Sequence, residues 1–263
     1  MLEDPQVEAV YIALPNDQHA EWAAAAVAAG KVVLCEKPMA LDADEAADLL
    51  ARVGSDALLW ESFVFPFHPQ TGLITGLISD GRIGIPSEIV SEFHFRVGQP
   101  DNIRLQAARG GGALYDVGCY PLRFARLLSG REPLTATGSA TLDGVDLDLA
   151  AVVEFADRFR LLLSAGLRRP ASTFTRVIGT DGELRISNPF HPGPADSVEL
   201  WSAGAQVQNW PAAPGTAFRH AIAHIHAVMA GTAAPRQLAG SDALPQARAM
   251  DLIRAASINR NDR

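Results

Sequence analysis

The chain of 263 residues is poor in cysteine, with only Cys35 and Cys119. Two thiols cannot build a disulfide framework, so stapled secreted folds are excluded and a reducing compartment is the default. Basic side chains are also scarce: 22 lysines and arginines against 30 aspartates and glutamates leave a net charge of −8. Nucleic acids and anionic membranes both need a basic face, so neither is expected as a partner. No apolar run approaches the roughly 18 residues of a membrane span. The opening residues Met1-Leu2-Glu3-Asp4-Pro5 are acidic and polar, so no signal peptide is read there and a cytoplasmic location is expected. No Gly-x-Gly-x-x-Gly occurs either. The only glycine cluster is Gly110-Gly111-Gly112, so a glycine turn cradling a pyrophosphate at a helix start is not encoded.

What is present reads as strand and helix in alternation. Val10 to Leu14 is a short apolar run stopped by Pro15-Asn16-Asp17, hence a buried strand and a turn. Asn16 or Asp17 can cap the alanine-rich helix that follows to about Ala29, and Gly30 ends it. Val32 to Cys35 is a second buried strand, Leu41 to Val53 a helix capped by Asp42, and Ala57 to Trp60 a third strand. This spacing implies right-handed βαβ units and a parallel sheet. Near Glu61 the pattern changes. A helix over His68–Ser79, an alternating strand over Pro86–Val97 and a helix over Ala113–Leu128 precede a series of strands. The turns Asp143-Gly144, Asp157-Arg158 and Asp181-Gly182 punctuate that series, and two helices close the chain. The fold class is therefore α/β plus α+β. A partial doubly wound parallel sheet fills residues 1–61. A large, mostly antiparallel sheet with one open face and closing helices fills 62–263.

Two segments carry chemistry. Glu36-Lys37-Pro38 leaves the end of the second strand. Lysine is costly to bury there, and a partly desolvated ammonium can act as acid, base or electrostatic clamp. The competing reading is a solvent-facing lysine at a strand end. Asp116-Val117-Gly118-Cys119-Tyr120 lies in the helix after the glycine run, with Asp116 and Tyr120 four apart and on one face. Gly118 and Pro121 weaken regular helix at that point, as functional sites often do. Tyr120 can protonate a substrate oxygen, with a pKa lowered by a nearby Lys37 ammonium. The alternative is a buried tyrosine whose hydroxyl simply finds a partner.

Val10-Tyr11-Ile12-Ala13-Leu14-Pro15-Asn16 with His19, Gly30 to Ala40 including Glu36-Lys37-Pro38, Phe67-His68-Pro69-Gln70, and Gly110 to Tyr120 together resemble the Gfo/Idh/MocA oxidoreductases. Tyrosine at position 120, and Asp101-Asn102-Ile103-Arg104, resemble the branch of glucose-fructose oxidoreductase, dimeric dihydrodiol dehydrogenase and NADP-dependent xylose dehydrogenase. The resemblance implies an NAD(P)-dependent dehydrogenase moving a hydride between the nicotinamide and a sugar, polyol or dihydrodiol. Lys37 and Tyr120 would be the catalytic pair and Asp116 their support. Pro15, Asn16, His19, Glu36 and Lys37 would line NADP or NAD, with NADP favoured by analogy. Arg104 and Phe67 would face the substrate. It also raises the chance of a cis Lys37-Pro38 bond, found in about 5–6% of X-Pro bonds. It implies a homo-oligomer through the open sheet face. Against the family pattern, roughly the first sixty residues are missing. The chain would then start inside a dinucleotide-binding domain, with a raw edge on its first strand. Two other readings follow from that: a non-catalytic relative acting as a binding or dimerising module, and a chain completed by another.

Three further features read as structural. His220, His224 and His226 have helical spacing but no carboxylate or cysteine close in sequence, so no metal is expected. Cys119 reads as a small buried apolar group. Arg168-Arg169 reads as a solvated strand end, and Trp201 and Trp210 as packing on loops at the sheet's end.

Overall fold

The computed structural model describes residues 1–257. The first sheet is small and parallel, in the order β1 (Ala9–Ile12), β2 (Val32–Cys35), β3 (Leu59–Glu61). Helices α1 (His19–Ala28) and α2 (Ala43–Val53) connect these strands, as the alternation requires. Successive side chains of a strand point to opposite faces. Val10, Ile12, Val33, Cys35 and Leu59 therefore pack on α1 and α2, while Leu34 and Trp60 point the other way.

Local chemistry sets the ends of these elements. The Asp42 carboxylate accepts from Glu45 N at 2.8 Å and caps α2. Gly30 follows α1 at φ +73°, a conformation that costs glycine nothing. The expected side-chain cap of α1 is not formed. Asn16 instead donates to the Gly110 carbonyl at 2.8 Å, and Asp17 pairs with Arg109 at 3.0 Å. Long-range partners for both side chains displaced the local cap.

After α3 (Pro69–Ser79), the second sheet has eight strands: β4 (Pro86–Arg96), β5 (Pro133–Asp143), β6 (Val145–Phe155), β7 (Arg160–Gly166), β8 (Arg168–Gly179), β9 (Glu183–Ile186), β10 (Ser197–Ser202) and β11 (Ala205–Pro211). Their spatial order is β11-β10-β9-β8-β4-β7-β6-β5, antiparallel except for the β4–β7 pair. β11 was not expected. Its alternation is weak because most of its residues are exposed. Trp201 and Trp210 thus sit inside strands, and Trp201 lies under the Arg185 guanidinium at 3.8 Å rather than on a loop. Arg168 and Arg169 open β8 and pair with Asp148 of β6.

One face of this sheet buries Ile89, Leu149, Val153, Leu161, Leu163 and Val177 against α4 (Cys119–Ser129). The other face carries Val90, Ala150, Val152, Leu162 and Phe174 along a shallow groove.

The last two helices return to the first sheet. α5 (Ala217–Met229) covers Leu34 and Trp60, and α6 (Ala239–Ser257) packs Ala239 and Ala243 against the β1–β3 face. The small sheet is therefore a three-layer unit completed from the far end of the chain.

Candidate active site

The C-terminal ends of β1 and β2 and the polar loop before α4 enclose a cavity of about 510 Å³. Crevices at strand ends of this sort are where open α/β sheets bind ligands. The Lys37-Pro38 peptide is cis. The Lys37 side chain is 10% exposed, and its Nζ donates to the Asp116 carbonyl at 2.7 Å and to Asp116 Oδ1 at 3.2 Å. The other oxygen of Asp116 accepts from Arg104 Nε at 2.8 Å. One carboxylate thus holds two cations from different parts of the chain.

Asp116 lies in a π turn over Leu114–Gly118 that runs into α4. Pro121 has no N–H to return to Val117, and the helix widens just where the sequence weakens it. The turn begins tightly: Leu114 N donates to Asp146 Oδ2 at 2.7 Å, and Gly112 sits at φ +121°. A Cβ on Gly112 would come within 2.0 Å of Asp146 Oδ1. Burial pushes the Asp146 carboxyl up to about 6.

Tyr120 lies in the first turn of α4, with Lys37 Nζ 5.3 Å from its ring centre. Phe63, Phe93, Phe190 and His191 surround the ring at centroid distances of 5.3–5.5 Å. Burial raises its pKa above the ordinary tyrosine value, and the opposing pull of Lys37 does not overcome it. The expected lowering is thus reversed, because the aromatic cage removes the water that would stabilise a phenolate. Burial also works against the Lys37 charge, yet its neighbours, Tyr120 and Cys119 first and then Asp116 and Glu36, prevail and keep the pKa above that of a free lysine. At neutral pH the pair is an ammonium beside a neutral phenol.

The remaining candidates divide. Asn16, His19, Glu36 and Arg104 line the cavity with Lys37, Asp116 and Tyr120. His19 is fully buried at its base, its ring nitrogens 2.8 Å from the Pro38 carbonyl and 2.7 Å from that of Leu14, so it ties the exits of β1 and β2 together. Glu36 accepts from the Tyr11 hydroxyl. Pro15 opens a 3-10 turn and does not line the cavity. Phe67 is elsewhere: its ring packs on His224 of α5 and lies under Arg236. It serves the α5 interface because the Phe65-Pro66-Phe67 turn points it toward that helix.

His220 packs its ring against His68, while His224 accepts from Arg236 N and packs on Trp60. Cys119 is buried, its thiol pushed up to about 12 by burial.

Phe93, Phe95, Arg109 and His191 also line the cavity and were missed. His191 stands in Asn188-Pro-Phe-His-Pro, between two prolines after a strand, which was the one local signal available.

The described residues fit part of a dinucleotide. Asn16 and Glu36 at the strand exits, beside Lys37, offer polar groups to a nicotinamide and its ribose, while His19, both ring nitrogens engaged, braces those exits from below. None of the loops at the ends of β1–β3 carries a glycine-rich turn for a pyrophosphate.

A parallel sheet with its crevice at the strand ends, a second open-faced sheet, and a lysine–tyrosine pair between them define a two-sheet α/β plus α+β architecture with a polar site at the junction. Residues 1–58 match the model of an oxidoreductase family with an NAD-binding Rossmann fold, and residues 73–185 match the GFO/IDH/MocA C-terminal domain. KijD10, a 3-ketoreductase from Actinomadura kijaniata solved with NADP and TDP-benzene, superposes with a TM-score of 0.86 at 31% identity, over 97% of this chain and 80% of that one. The chain belongs to the GFO/IDH/MocA family. D-xylose 1-dehydrogenase (NADP(+)) 2 of Haloferax volcanii is 35% identical over 76% of this chain and 62% of its own length. Oxidoreductase ORF334 of Rhizobium meliloti is 36% identical over 76% and 61%. The chain spans about three-fifths of the length of these curated relatives.

Proposed function

We propose that the protein is an NAD(P)-dependent oxidoreductase acting on a hydroxyl or carbonyl of a sugar-like small molecule. The observation that carries this reading is the contact of Lys37 with Asp116 and with the Tyr120 ring, two segments distant in sequence joined in one cavity. NADP is the first choice of cofactor, since the xylose dehydrogenase and KijD10 are named with it.

A bound nicotinamide would supply the hydride acceptor or donor. The chain's own residues handle the rest. Tyr120 exchanges a proton with the substrate oxygen. Its raised pKa keeps the phenol protonated until that transfer, which suits the reduction direction as a general acid. Lys37 places a fixed positive charge beside that oxygen and stabilises the charge that develops there. Asp116 holds Lys37 and Arg104 in register. Asn16 and Glu36 line the cofactor side, braced by the buried His19, and Arg104 the substrate side.

We place the division of labour near residue 61, with residues 1–61 serving the cofactor and 62–263 the substrate and self-association. The apolar groove around Val90, Val152, Leu162 and Phe174 supports a homodimer through the open sheet face.

The test is a fluorescence titration of NADPH and NADH into the purified chain. Saturation at micromolar cofactor with subsequent polyol-dependent reduction of NADP+ supports the enzyme. A folded chain that fails to bind cofactor at millimolar concentration supports the second reading, a non-catalytic binding module.

A further inference from the structure

We propose that His191 is a substrate-binding residue of this cavity, holding a hydroxyl of an uncharged polyol next to the one served by Tyr120. The proposal rests on the oxidoreductase reading above and names a contact within it.

His191 stands on the loop between β9 and β10, which is held in place at several points. Asn188 accepts from His191 N at 3.0 Å and donates to the His191 carbonyl at 2.8 Å. Asp196 closes the same loop by accepting from Ser187 Oγ and Gly193 N, both at 2.7 Å. Phe190 is fully buried and lies nearly parallel to Phe93, ring centres 5.7 Å apart. A loop anchored in this way presents its next side chain with little entropy left to lose on binding. That side chain is His191, whose ring meets Tyr120 edge-on at 5.3 Å and opens to the cavity. Among the described residues, neither ring nitrogen has a hydrogen-bond partner in the protein.

The charges around it favour an uncharged ligand. Lys37 and Arg104 share the single carboxylate of Asp116, Glu36 brings a second carboxylate to the same cavity, and Arg109 pairs with Asp17, so these groups together carry no net charge. Glu36 takes the Tyr11 hydroxyl. An anionic ligand would find no unpaired cation among these groups, and would have to break one of the ion pairs. The imidazole suits a hydroxyl instead. The ring is solvent-accessible at the cleft, and partial desolvation there, followed by the nearby Lys37 charge, lowers its pKa below that of a free imidazole, so the neutral form predominates at pH 7. A neutral imidazole has one donor and one acceptor, matching a group that both gives and takes a hydrogen bond. Phe93 and Phe95 provide apolar walls for the carbon face of a sugar ring.

The experiment follows the imidazole resonance of His191 by NMR in the full chain with NADP+, assigned by its loss in His191→Phe. The probes are D-xylose, D-glucose, myo-inositol and D-glucose 6-phosphate. A saturable shift with an uncharged probe, and binding weakened about tenfold in His191→Phe and largely restored in His191→Gln, are expected for one lost hydrogen bond. Tyr120→Phe should keep that binding. If no uncharged probe shifts the resonance, if only the phosphate binds, or if His191→Phe binds as tightly as the parent, the proposal is overturned. A probe that shifts His191 but never reduces NADP+ leaves the binding role standing and removes the oxidoreductase reading. Turnover unchanged in His191→Phe does the reverse.

Discussion

At the scale of single residues, the site depends on ionic states held away from solvent. Tyr120→Phe keeps the aromatic cage and removes only the proton carrier. Turnover should fall by roughly 10²–10⁴ with cofactor affinity unchanged, the range for loss of a general acid or base. Steady-state kinetics beside a cofactor titration would read both. Glu61 sits behind the site at the end of β3, accepting from Met39 N at 2.9 Å while its second oxygen has no partner among the described residues. Burial raises its pKa to about 7. The folded state therefore holds the proton more tightly than the unfolded chain. Stability is fully present below about pH 4 and declines as pH rises toward 7, by roughly 3 kcal/mol. Glu61→Gln should flatten that slope and melt higher than the parent at pH 8, with little difference at pH 4. Denaturation curves across that range would show it, and an unchanged slope would assign the pH dependence to other groups.

At the scale of elements, the parallel βαβ run, the cap at Asp42 and the glycine stop at Gly30 could be read directly, because each rests on a local rule. Lys37, Asp116 and Tyr120 could be singled out as unusual in type and place. What could not be read were features set by distant neighbours. The cap of α1 was lost because Asn16 and Asp17 bond to residues more than ninety positions away. The Tyr120 pKa went up because four rings from three distant segments enclose it. Phe67 turned to α5 for a similar reason, and β11 lacks the buried alternation that marks a strand. The glycine run, noted only as a helix opener, proves to be a point of close approach. Gly112→Ala would meet both an unfavourable backbone angle and the Asp146 carboxylate. A loss of about 3 kcal/mol in urea unfolding is expected, combining strain with the displaced helix-start bond to Leu114. A change under ~0.5 kcal/mol would mean that the turn relaxes freely.

At the scale of the whole molecule, the open face of the eight-stranded sheet is where the proposed homodimer would form. Leu162→Arg places a charge in the middle of the groove without touching the opposite, buried face. Light scattering should show the parent as a dimer and this variant as a monomer that retains its melting temperature. A parent already monomeric at micromolar concentration would remove the dimer. The return of α5 and α6 to the first sheet has a separate consequence, for recombination. Exchanging the cofactor-side unit between relatives at residue 61 alone would set Leu34 and Trp60 of one lineage against Ala217, Ala221 and Ile225 of another. A crossover that keeps this packing must carry α5 along with residues 1–61, while α6 bridges both units, since Ala239 and Ala243 pack on the first sheet and Ala249, Met250 and Ile253 on the second.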